Sequence, residues 1–592
     1  MNEKKEEINI RDLMPYIRVF KGRIFASILL VVGSKLLVVA GPYVMKELID
    51  LLANEGKSAS VITITILLIL FFALQWGGNI LDGMKDYVFA KVQANVRKNV
   101  ALQVFEHLLS LPSAFHADRS TGRVSRKITR GTTAIETIFM FLSFNIVPTI
   151  IQIIFVAIIF IALFPLSFVM TFLIFVVVYV WFTVRVTNNR QALLLETNKL
   201  DDKASGQSID ALLNYDTVKY FTNEKYEYKR YDSQLNNWSG LFVKSIKTGA
   251  NLNMGQGLII TAGLAAILIL ATEHFINGDA TIGDFVLVTT YLSAIAVPLG
   301  FLGFTYRAIK EGLANVDEMM KLLKEKNTIM DRVDAVELNS CNAEIKFENV
   351  GFSYSSEREV LNDISISIPF KTRVALVGYS GSGKSTIPKL LLRLYDVTSG
   401  KITVNGIDIR DLKQQSLRSH IGIVAQDTTL FNDTIFNNIA YGKPDSTRED
   451  VQRVAKMANI HEFISRDLPE GYETLVGERG VKLSGGEKQR VAIARMLIKN
   501  PCILIFDEAT ASLDTKSEKI IQEEIEKLSR GNITTIVIAH RLSTIVDFDK
   551  IVVMEKGRIV EQGNHEELLT KKGVYYSLWQ VQSKNGNDQE IN

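Results

Sequence analysis

Cysteine and histidine are scarce: Cys341 and Cys502 are the only cysteines in 592 residues, and there are seven histidines. Neither a disulfide framework nor a Cys/His zinc cluster is therefore expected, and the composition suits a protein facing the cytoplasm. An excess of one charge is missing too, since 67 basic residues stand against 64 acidic ones for a net +3. So even a balance gives no bulk attraction for nucleic acid, and no aromatic residues interleave with basic ones away from the membrane edges, so no nucleic-acid partner is expected. Disorder is excluded by a hydrophobic content of 47%. The length, about three or four times that of a typical domain, calls for at least two hydrophobic cores. What the average composition hides is segregation, because nearly all the long apolar runs fall before residue 310.

Six of those runs are long enough to cross a hydrocarbon core, at about 24–45, 60–82, 137–164, 166–184, 251–272 and 284–306. A single run such as Ile150–Phe160 would also serve as a buried soluble helix, but six in one region argue for membrane spans. Basic residues crowd the segment before the first run (Lys4, Lys5, Arg11, Arg18, Lys21, Arg23) and the connections 85–136 and 185–250. The connections Phe164–Ser167 and Glu273–Thr281 contain neither Lys nor Arg. The positive-inside rule then places both termini and both long connections in the cytoplasm. Those connections are rich in Lys, Glu, Gln, Ala and Leu and hold one proline, Pro112, which predicts helices running well beyond the bilayer. Glu3, Glu6, Glu7 and Asp12 make the N-terminus unlike a transit peptide, and it is too charged for a secretory signal. The expected location is a bacterial inner membrane.

After Tyr306-Arg307 the pattern changes in kind. An amphipathic segment to about Lys326 and an irregular charged stretch to about Cys341 are followed by short apolar runs at 374–377, 421–425, 502–506 and 535–539, separated by helical stretches. Runs buried on both faces predict a parallel sheet in an α/β domain. The first leads into Gly378-Tyr379-Ser380-Gly381-Ser382-Gly383-Lys384-Ser385-Thr386, a phosphate-binding loop between a strand and a helix. Its glycines let backbone amides approach phosphate oxygens, Lys384 reaches the terminal phosphates of ATP, and Ser385 offers a hydroxyl to Mg2+. Downstream, the run Ile503–Phe506 ends in Asp507-Glu508, where one carboxylate can hold the magnesium shell and its neighbour can orient the attacking water.

Between these motifs lies Leu483-Ser484-Gly485-Gly486-Glu487-Lys488-Gln489-Arg490, which resembles the signature sequence of ATP-binding-cassette (ABC) transporters. The resemblance extends in order to Tyr354 as the adenine-stacking aromatic, Gln426 as the Q-loop glutamine and magnesium ligand, Gly477–Gly480 as an exporter loop, Asp514 in the D-loop and His540 as the switch histidine. It implies a multi-domain chain, an all-α six-helix transmembrane domain of the type IV exporter class followed by an α/β P-loop nucleotide-binding domain. The boundaries expected are 1–23 for an N-terminal cytoplasmic segment, 24–326 for the transmembrane domain, 327–343 for a linker, 344–580 for the cassette and 581–592 for a polar tail. The resemblance further implies a half-transporter acting as a homodimer in membrane lipid. Ser484, Gly485 and Gly486 of one copy would cover the ATP held by Lys384 of the other, and Glu508 would be the general base.

A narrower resemblance, to the ABC transporters of mitochondria and their bacterial relatives, rests on Ile209–Glu224, on Gly33–Leu37, on Phe115-His116 with Thr121-Gly122, and on Pro298–Gly303 with Tyr306-Arg307. It implies export of glutathione-derived or related thiol and metal conjugates. Asn253 and Gln256, three apart on one helical face, match that family's glutathione contacts, with hydrogen bonding between helices as the alternative, and Lys35 and Arg307 are expected to point inward, with membership of a structural ion pair as the alternative. One departure stands out: Leu194 and Leu195 occupy the positions of a common arginine pair, leaving Arg190 one turn earlier. The alternatives are a lipid or amphiphile flippase on the same fold and an ATP-gated regulator that moves no cargo.

Overall fold

The computed structural model describes residues 20–587 apart from 59, 118–120, 340, 356–357, 427, 478–479, 481, 508–522, 524–532 and 540. The chain forms two compact units. One runs to Ser110 and resumes from Ser120 to Glu325; the other comprises Leu111–Arg119 and the chain from Lys326 onward.

The first unit is helical: α1 (Lys21–Glu55), α2 (Val61–Ser110), α4 (Thr121–Phe141), α5 (Val147–Leu163), α6 (Leu166–Leu213), α7 (Tyr215–Tyr220), α8 (Glu224–Ile276), α9 (Ile282–Gly300) and α10 (Leu302–Lys324); the short α3 (Ser113–Ala117) falls in the second unit. Six stretches are long and apolar enough to cross a membrane, as the hydropathy predicted. At 50, 48 and 53 residues, α2, α6 and α8 are each about 70–80 Å long. That is more than twice a hydrocarbon core, so these helices do extend far past it. Large apolar side chains such as Ile62, Phe72 and Trp76 on α2 point outward, as a lipid-facing surface requires.

The last span is interrupted at Phe301. Pro298 has no N–H, so the carbonyl of Ala294, which would accept from it, loses its helical partner. The buried Gln152 of α5 supplies one, its Nε2 donating to Ala294 O at 3.3 Å. The chain then breaks between α9 and α10, and the Leu299 carbonyl at that break accepts from the buried Tyr179 hydroxyl at 2.7 Å. Two side chains thus satisfy backbone groups that a bilayer could not solvate. Tyr179 and Tyr291 belong to a core shared by α5, α6, α8 and α9, where Phe160 and Phe172 meet edge-on at 5.4 Å.

The second unit holds two sheets. One, ordered β2 (Arg358–Ile368), β1 (Ile345–Ser355), β4 (Ser399–Val404), β5 (Ile407–Asp408), is antiparallel. The other is ordered β10 (Arg558–Gly563), β9 (Lys550–Glu555), β3 (Arg373–Gly378), β8 (Thr534–Ile538), β7 (Ile503–Asp507), β6 (Ile421–Val424). From β9 to β6 it is parallel. The four predicted apolar runs are β3, β6, β7 and β8, and their residues fill the cores on the two faces of this sheet. The antiparallel sheet had no comparable signal, because its strands alternate buried and exposed residues (β2) or mix polar residues into short runs.

Candidate functional site

Because β3, β6, β7 and β8 run parallel, their C-terminal ends open on one edge, where ligands of such sheets bind. There the loop 378–385 leaves β3 and enters α11 (Thr386–Leu391). Asp507 ends β7 half-buried, and Gln426 lies two residues past β6. His540 follows β8 in sequence but, with Glu508 and Asp514, lies outside the described residues.

The loop is shaped by its backbone. Gly378 has φ +147°, where an added Cβ would collide with the Met554 carbonyl of β9, so glycine is required twice over. Gly381 and Gly383 also have positive φ. Lys384 is buried, its Nζ donating to the carbonyls of Gly378 (2.8 Å) and Tyr379 (2.9 Å) and to Ser382 Oγ (3.4 Å), which holds the ammonium within the loop. Ser382 and Thr386 are buried beside it, while Ser380 is exposed. Tyr354, at the end of β1, shares a 3.2 Å hydrogen bond with Thr386 Oγ1. Its ring is fixed edge-on by Phe352 and Tyr395, with centroids 4.8 and 5.1 Å away, yet remains 46% exposed. An aromatic surface so braced is suited to stacking a base.

Ser484 caps the helix α14 (Gly485–Leu497) by a reciprocal box in which Ser484 N donates to Glu487 Oε2 (2.8 Å) and Glu487 N to Ser484 Oγ (3.4 Å). A node the sequence did not reveal ties this helix to the segment after Gln426. Asn438, on α13 (Ile435–Ala440), is almost fully buried; its amide donates to the carbonyls of Phe431 and Thr434 at 3.0 Å and accepts from Phe431 N at 2.9 Å. Arg495 of α14 donates to the Asn438 side chain and carbonyl, both at 2.7 Å. Burial pushes the Arg495 guanidinium below its usual value, so these acceptors matter to it. Asp433 in the same turn is held below the ordinary 3.8 by hydrogen bonds from the Asn437 side chain and Thr434 N.

In the helical unit a cavity of about 340 Å³ is bounded by α6, α8 and the α9–α10 break. It gathers Arg190, Asn253, Gln256 and Arg307, four of the five residues singled out for cargo. Gly249 makes room for Arg190, since a Cβ there would sit 2.7–2.8 Å from the guanidinium. The Arg190 Nε is buried and has no hydrogen-bond partner among the described residues. The charged group acting on Arg190 is another cation, Arg307, which also lies 5.1 Å from the Phe304 ring. None of the cavity's described lining residues is acidic. Gln256 is anchored, donating to Thr183 Oγ1 at 2.9 Å, whereas Asn253 is exposed. Lys35 is not among the lining residues: its ammonium faces Asp82 at 3.4 Å, and Asp82 also meets Lys85 at 3.3 Å. Leu194 and Leu195 do not line the cavity either.

Residues 24–299 match the family model described as ABC transporter transmembrane region, and residues 361–511 the one described as ABC transporter. Over 97% of its length the chain is 41% identical to the "ATM1-type heavy metal exporter" of Novosphingobium aromaticivorans, covering 95% of that protein. The chain belongs to the Atm1-type ABC exporters. It is also 40% identical, over 95% of its length and 81% of the relative's, to the mitochondrial "iron-sulfur clusters transporter ATM1" of Gibberella zeae. A solved bacterial Atm1-family exporter with ATP bound superimposes with a TM-score of 0.87 at 42% identity, over 95% of this chain and 99% of that one. The chain is therefore an Atm1-type half-transporter that uses ATP, and its ATPase is coupled to export across a membrane.

Proposed function

We propose that this Atm1-type exporter works as a homodimer in a bacterial inner membrane, termini cytoplasmic, and expels an anionic thiol conjugate of the glutathione class. The observation that carries the cargo reading is the cavity with two guanidiniums and, among the described residues, no acidic lining group and no partner for the buried Arg190 Nε. Two like charges lining one cavity repel, and a carboxylate-bearing ligand relieves both the repulsion and the unmet Arg190 Nε donor. Arg190, one turn from the missing arginine pair, supplies the second cation beside Arg307. Asn253 and Gln256 offer amides to a peptide-like cargo. The relatives are named for heavy-metal and iron-sulfur cluster export, cargoes that thiol ligands hold.

For the nucleotide, Lys384 and the amides of Gly378–Thr386 hold the phosphates of ATP, and Tyr354 stacks on the base. Ser385, Gln426 and Asp507 offer a hydroxyl, an amide oxygen and a carboxylate, the hard-oxygen set that Mg2+ takes, and the ion bound there would neutralise phosphate charge. Glu508 accepts the proton of the attacking water, with His540 and Asp514 completing the site. Ser484, Gly485 and Gly486 at the start of α14 cover the nucleotide of the second copy. ATP closes the pair, hydrolysis reopens it, and the helices alternate between inward-facing and outward-facing states.

The test is ATPase activity in lipid nanodiscs with a panel of glutathione species and lipid A. Oxidised glutathione or a glutathione conjugate should stimulate turnover. Arg190→Gln should weaken the half-stimulating concentration about tenfold to a hundredfold, the loss of charge-assisted bonds, and leave basal turnover alone. Stimulation by lipid A and not by any glutathione species would overturn the cargo reading.

A further inference from the structure

The two cysteines, 161 residues apart in sequence, meet in the nucleotide unit. Their Cα atoms are 5.1 Å apart and their sulfurs are bonded, and the ring of His420 joins them, with one ligand atom of each residue within 4.8 Å of the others. Each residue is placed by backbone. Cys502 immediately precedes β7 and His420 immediately precedes β6, and the His420 carbonyl accepts from Cys502 N (2.8 Å) and Ile503 N (3.0 Å). Cys341 lies in the segment leading into β1, where Leu338 N donates to Ser416 Oγ at 2.9 Å. The carbonyl of the same Ser416 lies 2.8 Å from His420 Nδ1. A carbonyl only accepts, so Nδ1 carries the proton and Nε2 keeps its lone pair. An imidazole oriented by a backbone carbonyl through one nitrogen is the usual arrangement of a metal-ligating histidine.

We infer that, once the cystine is reduced, Cys341, Cys502 and His420 form a three-ligand site for a thiophilic d10 cation such as Zn2+ or Cd2+. It is remote from the phosphate loop, since it sits at the opposite ends of β6 and β7 from Gln426 and Asp507. Two sulfurs and a nitrogen suit soft and borderline ions and reject Mg2+ and Ca2+. Cys502 is buried and His420 half-buried, but Cys341 is exposed, so the fourth coordination position faces solvent and ions can enter there. The chemistry balances in two steps. Two molecules of a low-molecular-weight thiol together deliver two electrons and two protons to the cystine and leave as one disulfide. The divalent cation then displaces both thiol protons as it forms two sulfur bonds.

The chain has only these two cysteines, so any sulfur-to-cadmium charge-transfer absorption reports this site alone, independently of ATP or cargo. The full-length protein in nanodiscs, reduced with a phosphine and desalted, is titrated with Cd2+ alone. The expected result is one Cd2+ per chain with a thiolate band that is absent before reduction. Cys341→Ser should bind at least tenfold more weakly with a diminished band, and its unchanged ATP turnover would certify its fold. His420→Ala should keep the band but lose about tenfold in affinity. A reduced parent protein without the band, or His420→Ala binding as tightly as the parent, overturns the inference.

Discussion

Around the phosphate loop the ligand-facing groups are mostly backbone, held by one short stretch of chain and the strand ends beside it; around the membrane cavity they are side chains brought together from three helices. The first kind of site needs glycine at fixed places, as Gly378 with its positive φ against Met554 shows, so it leaves a contiguous signature. The second needs only side chains that reach one space from separate helices, so it leaves no contiguous signature. Arg190 lines the cavity although Leu194 and Leu195 stand at the arginine-pair positions.

That contrast can be broken most forcefully at the chemistry itself. Glu508→Gln should leave ATP binding nearly intact but lower turnover about 10²–10⁴-fold, the range for losing a general base; near-normal phosphate release would remove Glu508 from that role. A smaller but large effect is expected at the node behind the nucleotide edge. Asn438→Ala removes the buried side-chain acceptor of Arg495 and the donor to the Phe431 and Thr434 carbonyls, and should cost about 3 kcal/mol, read as the denaturation midpoint of the nucleotide unit. In the helical unit, Gln152→Leu leaves the Ala294 carbonyl without its donor. The loss should be only about 1 kcal/mol, because partners inside a membrane are exchanged at modest cost, and thermal unfolding in nanodiscs would measure it.

The smallest effect is electrostatic. Asp433, held below 3.8 by Asn437 and Thr434, has a folded pKa lower than its unfolded one, so it stabilises the protein above 3.8 and that contribution fades as the pH falls through its folded value. Stability should be indifferent to this group from about pH 7 to 5 and decline below, and Asp433→Asn should remove that part of the acid dependence. An unaltered acid limb in the variant would show that its hydrogen bonds carry no net stability.

The sequence revealed features in proportion to their locality. Six apolar runs, the four parallel apolar strands and the phosphate loop are contiguous, and each emerged with its type correct, although β6 leaves Ile423 exposed. The break at Phe301 was not legible, because Pro298 alone does not say whether a helix bends or ends, and the Gln152 and Tyr179 side chains that bond the carbonyls there come from other helices. Lys35 had two readings, an inward-pointing cargo contact or a member of an ion pair, and no local pattern chooses between them; the pair with Asp82 one helix away is seen only in the structure. Composition dismissed a grouping of cysteine and histidine. No spacing rule could join Cys341, His420 and Cys502, which only the sheet order brings together.

The central claim, that ATP turned over at the strand edge moves an anion past Arg190 and Arg307, is tested most directly by uptake into inverted membrane vesicles. With labelled oxidised glutathione or a metal conjugate of glutathione, accumulation should require ATP, vanish with Glu508→Gln, and fall sharply with Arg190→Gln and Arg307→Gln together. Accumulation equal with and without ATP, or undiminished in the double arginine variant, would contradict it.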